Sequence, residues 1–199
     1  MIHVNPQPEP PGFNGHVRQP GLILLKNLGI ALDQPLPPGT ELNPYWRKCL
    51  DDLHSSYEGI CAYLCVFIER VTGGASVDHF VAKSLRADLA YEWSNYRLSC
   101  STINSRKRAY EDVLDPFDVV NGWFHLELVS GRIYPNPDLP DEVRTQAAVT
   151  IERLGLDDSG NRELRARHYQ QYREQYYHAQ FLRRHSPFVW LEARRQALL

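Results

Sequence analysis

The chain has 199 residues, 43% hydrophobic and 11% aromatic, with a formal charge of −2 at pH 7. That composition excludes wholesale disorder, and the length buries a core without disulfide support. The near-neutral sum does not by itself advertise nucleic-acid binding, so the distribution of charge has to be read along the chain.

The first residues, MIHVNPQPEPPGF, lack a basic region followed by an apolar stretch, so no secretory signal is expected. Nine of the 14 prolines precede Tyr45, which predicts an extended arm over residues 1–44. Within it, Gly21 to Leu32 is apolar enough to dock on a core. Trp46, Leu50, Leu53 and Tyr57 recur at helical spacing, predicting a helix over 45–57 that Gly59 ends. The run Ile60 to Ile68 is too short to span a bilayer. A soluble, cytoplasmic protein with no membrane partner is therefore expected.

Two β-branched or aromatic runs, Cys61 to Arg70 and Ser76 to Val81, flank Thr72-Gly73-Gly74 and predict a hairpin. A loop and a short polar helix over 101–112 follow. Trp123 to Pro135 predicts a second hairpin turning at Ser130-Gly131. Pro140 and Asp141 open a helix with Val143, Ala147, Ile151 and Leu154 on one face, stopped by Gly155. A long polar helix is expected over 161–185, broken by Pro187 before a last helix. From Arg162 onward eight Arg face three Glu, a basic excess that serves as a DNA-contacting face, a partner-docking face, or simply a solvated one. The division expected is an arm over 1–44, a core over 45–115, and a hairpin-plus-helix region over 116–199 of α/β (α+β) class.

Chemistry concentrates in SVDHFVAKS, AYEWSNYRLSC and STINSRKR. Asp78-His79, Asn95 and Asn104 succeed one another at intervals of 16 and 9 residues. VDHFVAKS, with Ala82 where proline is common, resembles the VDH-x-x-P-K-S strand of the HNH, or ββα-metal, endonucleases. YEWSNYRLSC and NSRK resemble that family's Y-x-W-x-N and N-x-R-K elements, in the variant whose last ligand is Asn. The likeness spans about residues 60–110, and is nearest to HNH components of ATPase-linked bacterial anti-phage defence systems. It implies a ββα-metal core, DNA cleavage, and an ATPase as a possible partner.

The residue types suit that chemistry. His79 serves as general base because an ordinary imidazole pKa of roughly 6.5 leaves it neutral near pH 7. Asp78 projects to the opposite side of the strand and offers a carboxylate to a cation. With the amide oxygen of Asn104 it makes a sparse all-oxygen site suited to Mg²⁺, with Mn²⁺ as a substitute. The resemblance further implies that Asn95 holds the loop and orients His79, and that Lys83, Arg106 and Lys107 contact phosphates without reading sequence.

The likeness lapses at the cysteines. Relatives often carry a structural zinc on two C-x-x-C pairs, but here Cys61 and Cys65 are one residue too far apart, and Ile103 stands where a partner of Cys100 would be. No structural zinc is expected, with Leu64 and Ile103 filling its place. Two rival functions remain open at this point: a catalytically silent nucleic-acid-binding module, and a subunit inert until an ATPase partner licenses it.

Overall fold

The computed structural model describes residues 1–72 and 74–199. Gly73, in the expected first turn, lies outside the described residues. Among the described residues the class is mixed α/β, with seven α-helices and two small antiparallel sheets. Among these residues no helix is long and apolar enough to cross a membrane. The chain forms two compact units: residues 6–59 with 69–111, and residues 1–5 with 60–68 and 112–199.

In the first unit the arm is not extended throughout. A π-helical turn (Asn14–Arg18) runs into α1 (Gln19–Asn27), whose first turn accepts Pro20 because the missing N–H would lack a partner there anyway. Proline content had argued for extension, but Val17 and Leu25 are fully buried, and their burial outweighs it. Gly21 lets α1 lie against Tyr91, since a Cβ there would sit 2.1 Å from the ring. Phe13 meets Trp93 and Tyr96 edge-on at 5.6 and 5.7 Å. The helix expected over 45–57 is present as a 3-10 turn (Tyr45–Cys49) and α2 (Leu50–Ser56), and Gly59 follows it at φ 70°.

The first expected hairpin is not formed. β1 (Ala75–His79) pairs antiparallel with β2 (Tyr96–Cys100), placing Asp78 opposite Arg97 and His79 opposite Tyr96. Residues 61–70 contain no strand; Cys61 N–H donates to the Val66 carbonyl across a turn, Cys65 sits at φ 55°, and one isolated bridge joins Ile60 to Phe67. Cys61, Tyr63 and Cys65 are buried there, so this apolar run fills a core in the other unit instead of presenting a strand edge. α3 (Ser101–Lys107) follows β2 directly and stops five residues short of the expected end, because Arg108 turns to φ 49°.

The second unit holds β3 (Phe124–Glu127) and β4 (Arg132–Pro135), joined through Ser130-Gly131 as expected. Gly131 takes φ 69°, and a Cβ there would lie 2.0 Å from the Arg162 carbonyl oxygen, so only glycine fits. α4 (Asp141–Leu154) buries Ala147, Thr150 and Leu154, and Gly155 caps it in the left-handed conformation. The long helix expected over 161–185 is two: α5 (Ser159–Arg173) and α6 (Ala179–His185), interrupted where Gln175 turns to φ 63°. α7 (Pro187–Arg195) begins at Pro187. The break lets Tyr169 of α5 and Leu182 of α6 both enter the core with Phe188 and Val189 of α7. Arg165 is buried as well, with Nε donating to the Gly131 carbonyl at 2.7 Å and Nη2 to that of Leu156 at 2.8 Å. Of the basic excess, Arg162 pairs with Asp157 and Arg195 with Glu192, so part of it is neutralised locally.

Candidate active site

All the candidate residues fall in the unit that carries β1, β2 and α3. Asp78, His79, Lys83 and Asn104 line one open pocket of about 410 Å³, together with residues 36–40, Ala82, Ser84, Arg108 and Ala109. The alternation of β1 sends Asp78 and His79 to different sides, yet both reach the pocket wall.

His79 is buried, and its Nε2 lies 2.9 Å from the Ala90 carbonyl oxygen. A carbonyl only accepts, so Nε2 carries the proton and Nδ1 keeps its lone pair. Trp46 and Tyr96 grip the ring edge-on at 4.9 and 5.1 Å. The Tyr96 hydroxyl donates to the same Ala90 carbonyl at 2.8 Å, so strand partner and ring share one anchor. Burial first, and the Lys83 ammonium second, push the His79 pKa down to about 3. The imidazole is therefore neutral throughout the physiological range.

Asn95 ties the loop between the strands. Its Oδ1 accepts from Val81 N–H at 2.8 Å, and its Nδ2 donates to the carbonyls of Val81 and Leu89 at 2.9 and 3.0 Å. Its backbone carbonyl also accepts from Phe80 N–H at 2.9 Å. Three side-chain bonds thus fix the residues on either side of the Ala90 anchor. Asn95→Ala leaves these buried groups unpaired, and an unmade buried bond costs about 1–3 kcal/mol. The expected outcome is a lowered thermal midpoint in calorimetry, with faster amide exchange at Val81 than at Leu98 of the central pairing.

Asn104 projects from α3 back toward β1, where Nδ2 donates to Ser76 Oγ and the Val77 carbonyl, both at 3.2 Å. Because the Val77 carbonyl accepts only, the amide orientation is fixed and Oδ1 is left as the acceptor. Asp78 is buried, with Oδ1 3.5 Å from the Lys107 ammonium. A carboxylate and an amide oxygen on one wall are hard donors that fit Mg²⁺, which keeps most of its water and takes few protein ligands. Among the described residues no group of three or more His, Cys, Asp or Glu gathers as a metal cage.

Lys107 corrects the expectation of a phosphate contact. It is fully buried, and its ammonium donates to the carbonyls of His79 at 3.0 Å and Phe80 at 2.7 Å. With Asp78 beside it, the side chain pins the end of β1 from inside. Lys83 does face the pocket, half-buried over the Trp46 ring at 5.1 Å. Its pKa is lowered by burial, with Asp78 opposing. Arg106 is half-buried on α3 and is not part of the pocket lining.

Sequence reasoning missed Trp46, Arg108 and the strap over residues 36–40. Trp46 was legible only as one member of a helical face. The strap had no motif; it is held by Leu36 N–H donating to the Ser84 carbonyl at 3.0 Å and Asp88 N–H to that of Leu32 at 2.9 Å. Of the cysteines, Cys61 and Cys65 belong to one unit and Cys49 and Cys100 to the other. Burial raises the Cys49 thiol to about 12 and the Cys65 thiol as well, so both stay protonated as small apolar groups.

No protein-family model matches the chain, and no curated protein matches it.

Proposed function

We propose that the chain is a metal-dependent endonuclease of the HNH, ββα-metal type that hydrolyses DNA phosphodiester bonds. The observation that carries this reading is one pocket wall formed by Asp78, His79 and Asn104, with His79 held as the Nε2–H tautomer. The strand–strand–helix order of β1, β2 and α3 supports it, as does the loop staple at Asn95.

Neutral His79 takes a proton from water at Nδ1 as the water oxygen attacks phosphorus, and the bond to the departing 3′ oxygen breaks. The low basicity that burial imposes is offset when an anionic phosphodiester enters the pocket, because negative charge nearby favours the protonated ring. The Ala90 carbonyl then holds the imidazolium in place through Nε2. Asn95 is a positioning residue: it acts through the loop that presents the Ala90 carbonyl. Asp78 and Asn104 would hold Mg²⁺, or Mn²⁺ in its place, which would supply Lewis-acid stabilisation of charge on the phosphate and leaving oxygen. The role given to Asp78 and Asn104 is to offer oxygen donors already aimed at the pocket.

Purified protein is expected to nick or linearise plasmid DNA with Mg²⁺ or Mn²⁺ and not with EDTA. Cleavage that persists in EDTA would overturn the metal-dependent reading. Absence of cleavage in every metal would overturn the autonomous nuclease and leave a binding module or a partner-licensed subunit.

A further inference from the structure

With Lys107 turned inward, the cation that α3 brings to the pocket lining is the next residue. Arg108 caps α3 at φ 49° and ψ −124°, a conformation that favours glycine. Non-glycine residues persist in such regions where the surrounding structure over-determines them, and such residues cluster at ligand sites. The turn takes Arg108 off the helical path and onto the lining of the pocket that holds Asp78, His79 and Asn104. Thr40 and Ser84 line it too, joined by the strap whose Leu36 N–H binds the Ser84 carbonyl. Among the described residues, no hydrogen bond or ion pair engages the side chains of Thr40, Ser84 or Arg108. Residues carrying a guanidinium and two hydroxyls thus line one cavity, and their side-chain donors are uncommitted. The cavity, about 410 Å³, falls within the roughly 300–1,000 Å³ of small-ligand sites.

We infer that Arg108, with the hydroxyls of Thr40 and Ser84, forms a phosphate-binding subsite that grips the nucleic-acid strand beside the bond to be cut. The inference deepens the nuclease reading and rests on it for the identity of the ligand. A guanidinium fork matches two phosphate oxygens at once, which an ammonium does not, and hydroxyls donate to a third. Half-buried Lys83 adds positive charge to the same cavity. The strap and α3 thereby hold the backbone of the strand, and nothing in the subsite reads a base.

The test measures equilibrium binding of a labelled oligonucleotide, double- and single-stranded, in EDTA so that nothing is cleaved. Wild type, Arg108→Ala, Arg108→Lys and Arg108→Gly are compared over a salt series, with a thermal midpoint for each. Arg108→Ala and Arg108→Gly are expected to weaken binding on the order of tenfold at low salt. Their log–log salt slope is expected to shrink by about one phosphate contact, and Arg108→Lys to recover part of both. Arg108→Gly is expected to hold or raise the thermal midpoint, because glycine relieves the backbone strain. A residue kept for folding alone would do the reverse. Wild-type affinity and slope in both Arg108→Ala and Arg108→Gly would overturn the subsite and leave the nuclease reading intact. Arg108-dependent binding by a protein that never cleaves would overturn the autonomous nuclease and keep the subsite. A wild type that binds neither oligonucleotide would overturn both.

Discussion

His79→Ala is expected to lower the metal-dependent cleavage rate by about 10²–10⁴-fold, the range a positioned general base contributes. Single-turnover plasmid nicking measures it, and equal rates in variant and wild type would remove His79 from the chemistry. The pH profile separates a base from a packing residue. His79 is pushed down to about 3, mainly by burial between Trp46 and Tyr96. The profile of kcat/KM reports the free enzyme, so it is expected to show no acid limb near the ordinary value of roughly 6.5. The kcat profile reports the complex, whose phosphate raises the ring's proton affinity, so its acid limb is expected at higher pH than that of kcat/KM.

Burial of the same ring links folding to pH. The unfolded chain takes a proton on it below roughly 6.5, while the folded chain resists until about 3. Stability from the neutral ring is therefore full above the unfolded value and is lost as pH falls toward the folded one. Every tenfold difference in proton affinity between the folded and unfolded ring is worth about 1.4 kcal/mol, so the loss is on the order of a few kcal/mol. His79→Ala is expected to flatten this part of the stability profile, as read from urea midpoints at pH 7 and pH 4.5.

Lys107→Ala is expected to destabilise by several kcal/mol, since each unmade buried hydrogen bond costs about 1–3 kcal/mol and the change also removes a cation from beside the buried Asp78 carboxylate. The side chains of Lys107 and Asp78 are 0% and 2% exposed and 3.5 Å apart. The ammonium also donates to the carbonyls of His79 and Phe80, so its loss removes a donor from two acceptors around the start of the loop. Chemical denaturation measures the change. A surface lysine that contacts phosphate would instead leave the midpoint unchanged and alter only the salt dependence of DNA binding. Adding Asp78→Asn to Lys107→Met is expected to cost less than the sum of the two single changes, since each single change already removes the same ammonium–carboxylate contact. Strict additivity would mean that the pair does not act as a unit.

Local signals carried far where one residue's chemistry settles a geometry. Gly155 ends α4 and Gly131 turns the β3–β4 hairpin because each position needs a positive φ. Pro187 starts α7 because a proline at that point forfeits no bond. The period of Leu50, Leu53 and Tyr57 placed α2 because its buried face repeats within a few residues.

Non-local choices were not legible. Residues 61–70 and 96–100 are both apolar and rich in strand-forming types, and either run could answer β1. Pairing with Tyr96–Cys100 followed only from the burial of Cys61, Tyr63 and Cys65 elsewhere, which no period-2 pattern announces. The interruption at Gln175 has the same character: polar residues 161–185 fit one helix, but packing Tyr169, Leu182 and Phe188 together requires a bend.

For the candidate site, the sequence by itself singled out Asp78, His79, Asn95 and Asn104 as chemically specific types at fixed spacing, and the fold brings the first, second and fourth of them to one pocket. Which of three neighbouring cations meets the pocket was left to the tertiary structure. A helix that continued past Lys107 would have carried Arg108 onward with it. Ending it there, with the next residue at a positive φ, leaves Lys107 in the core and turns Arg108 onto the pocket. That difference is a matter of backbone direction at a single residue, fixed by Asp78 and two carbonyls of β1 and its loop, and so by contacts nearly thirty residues away in the chain.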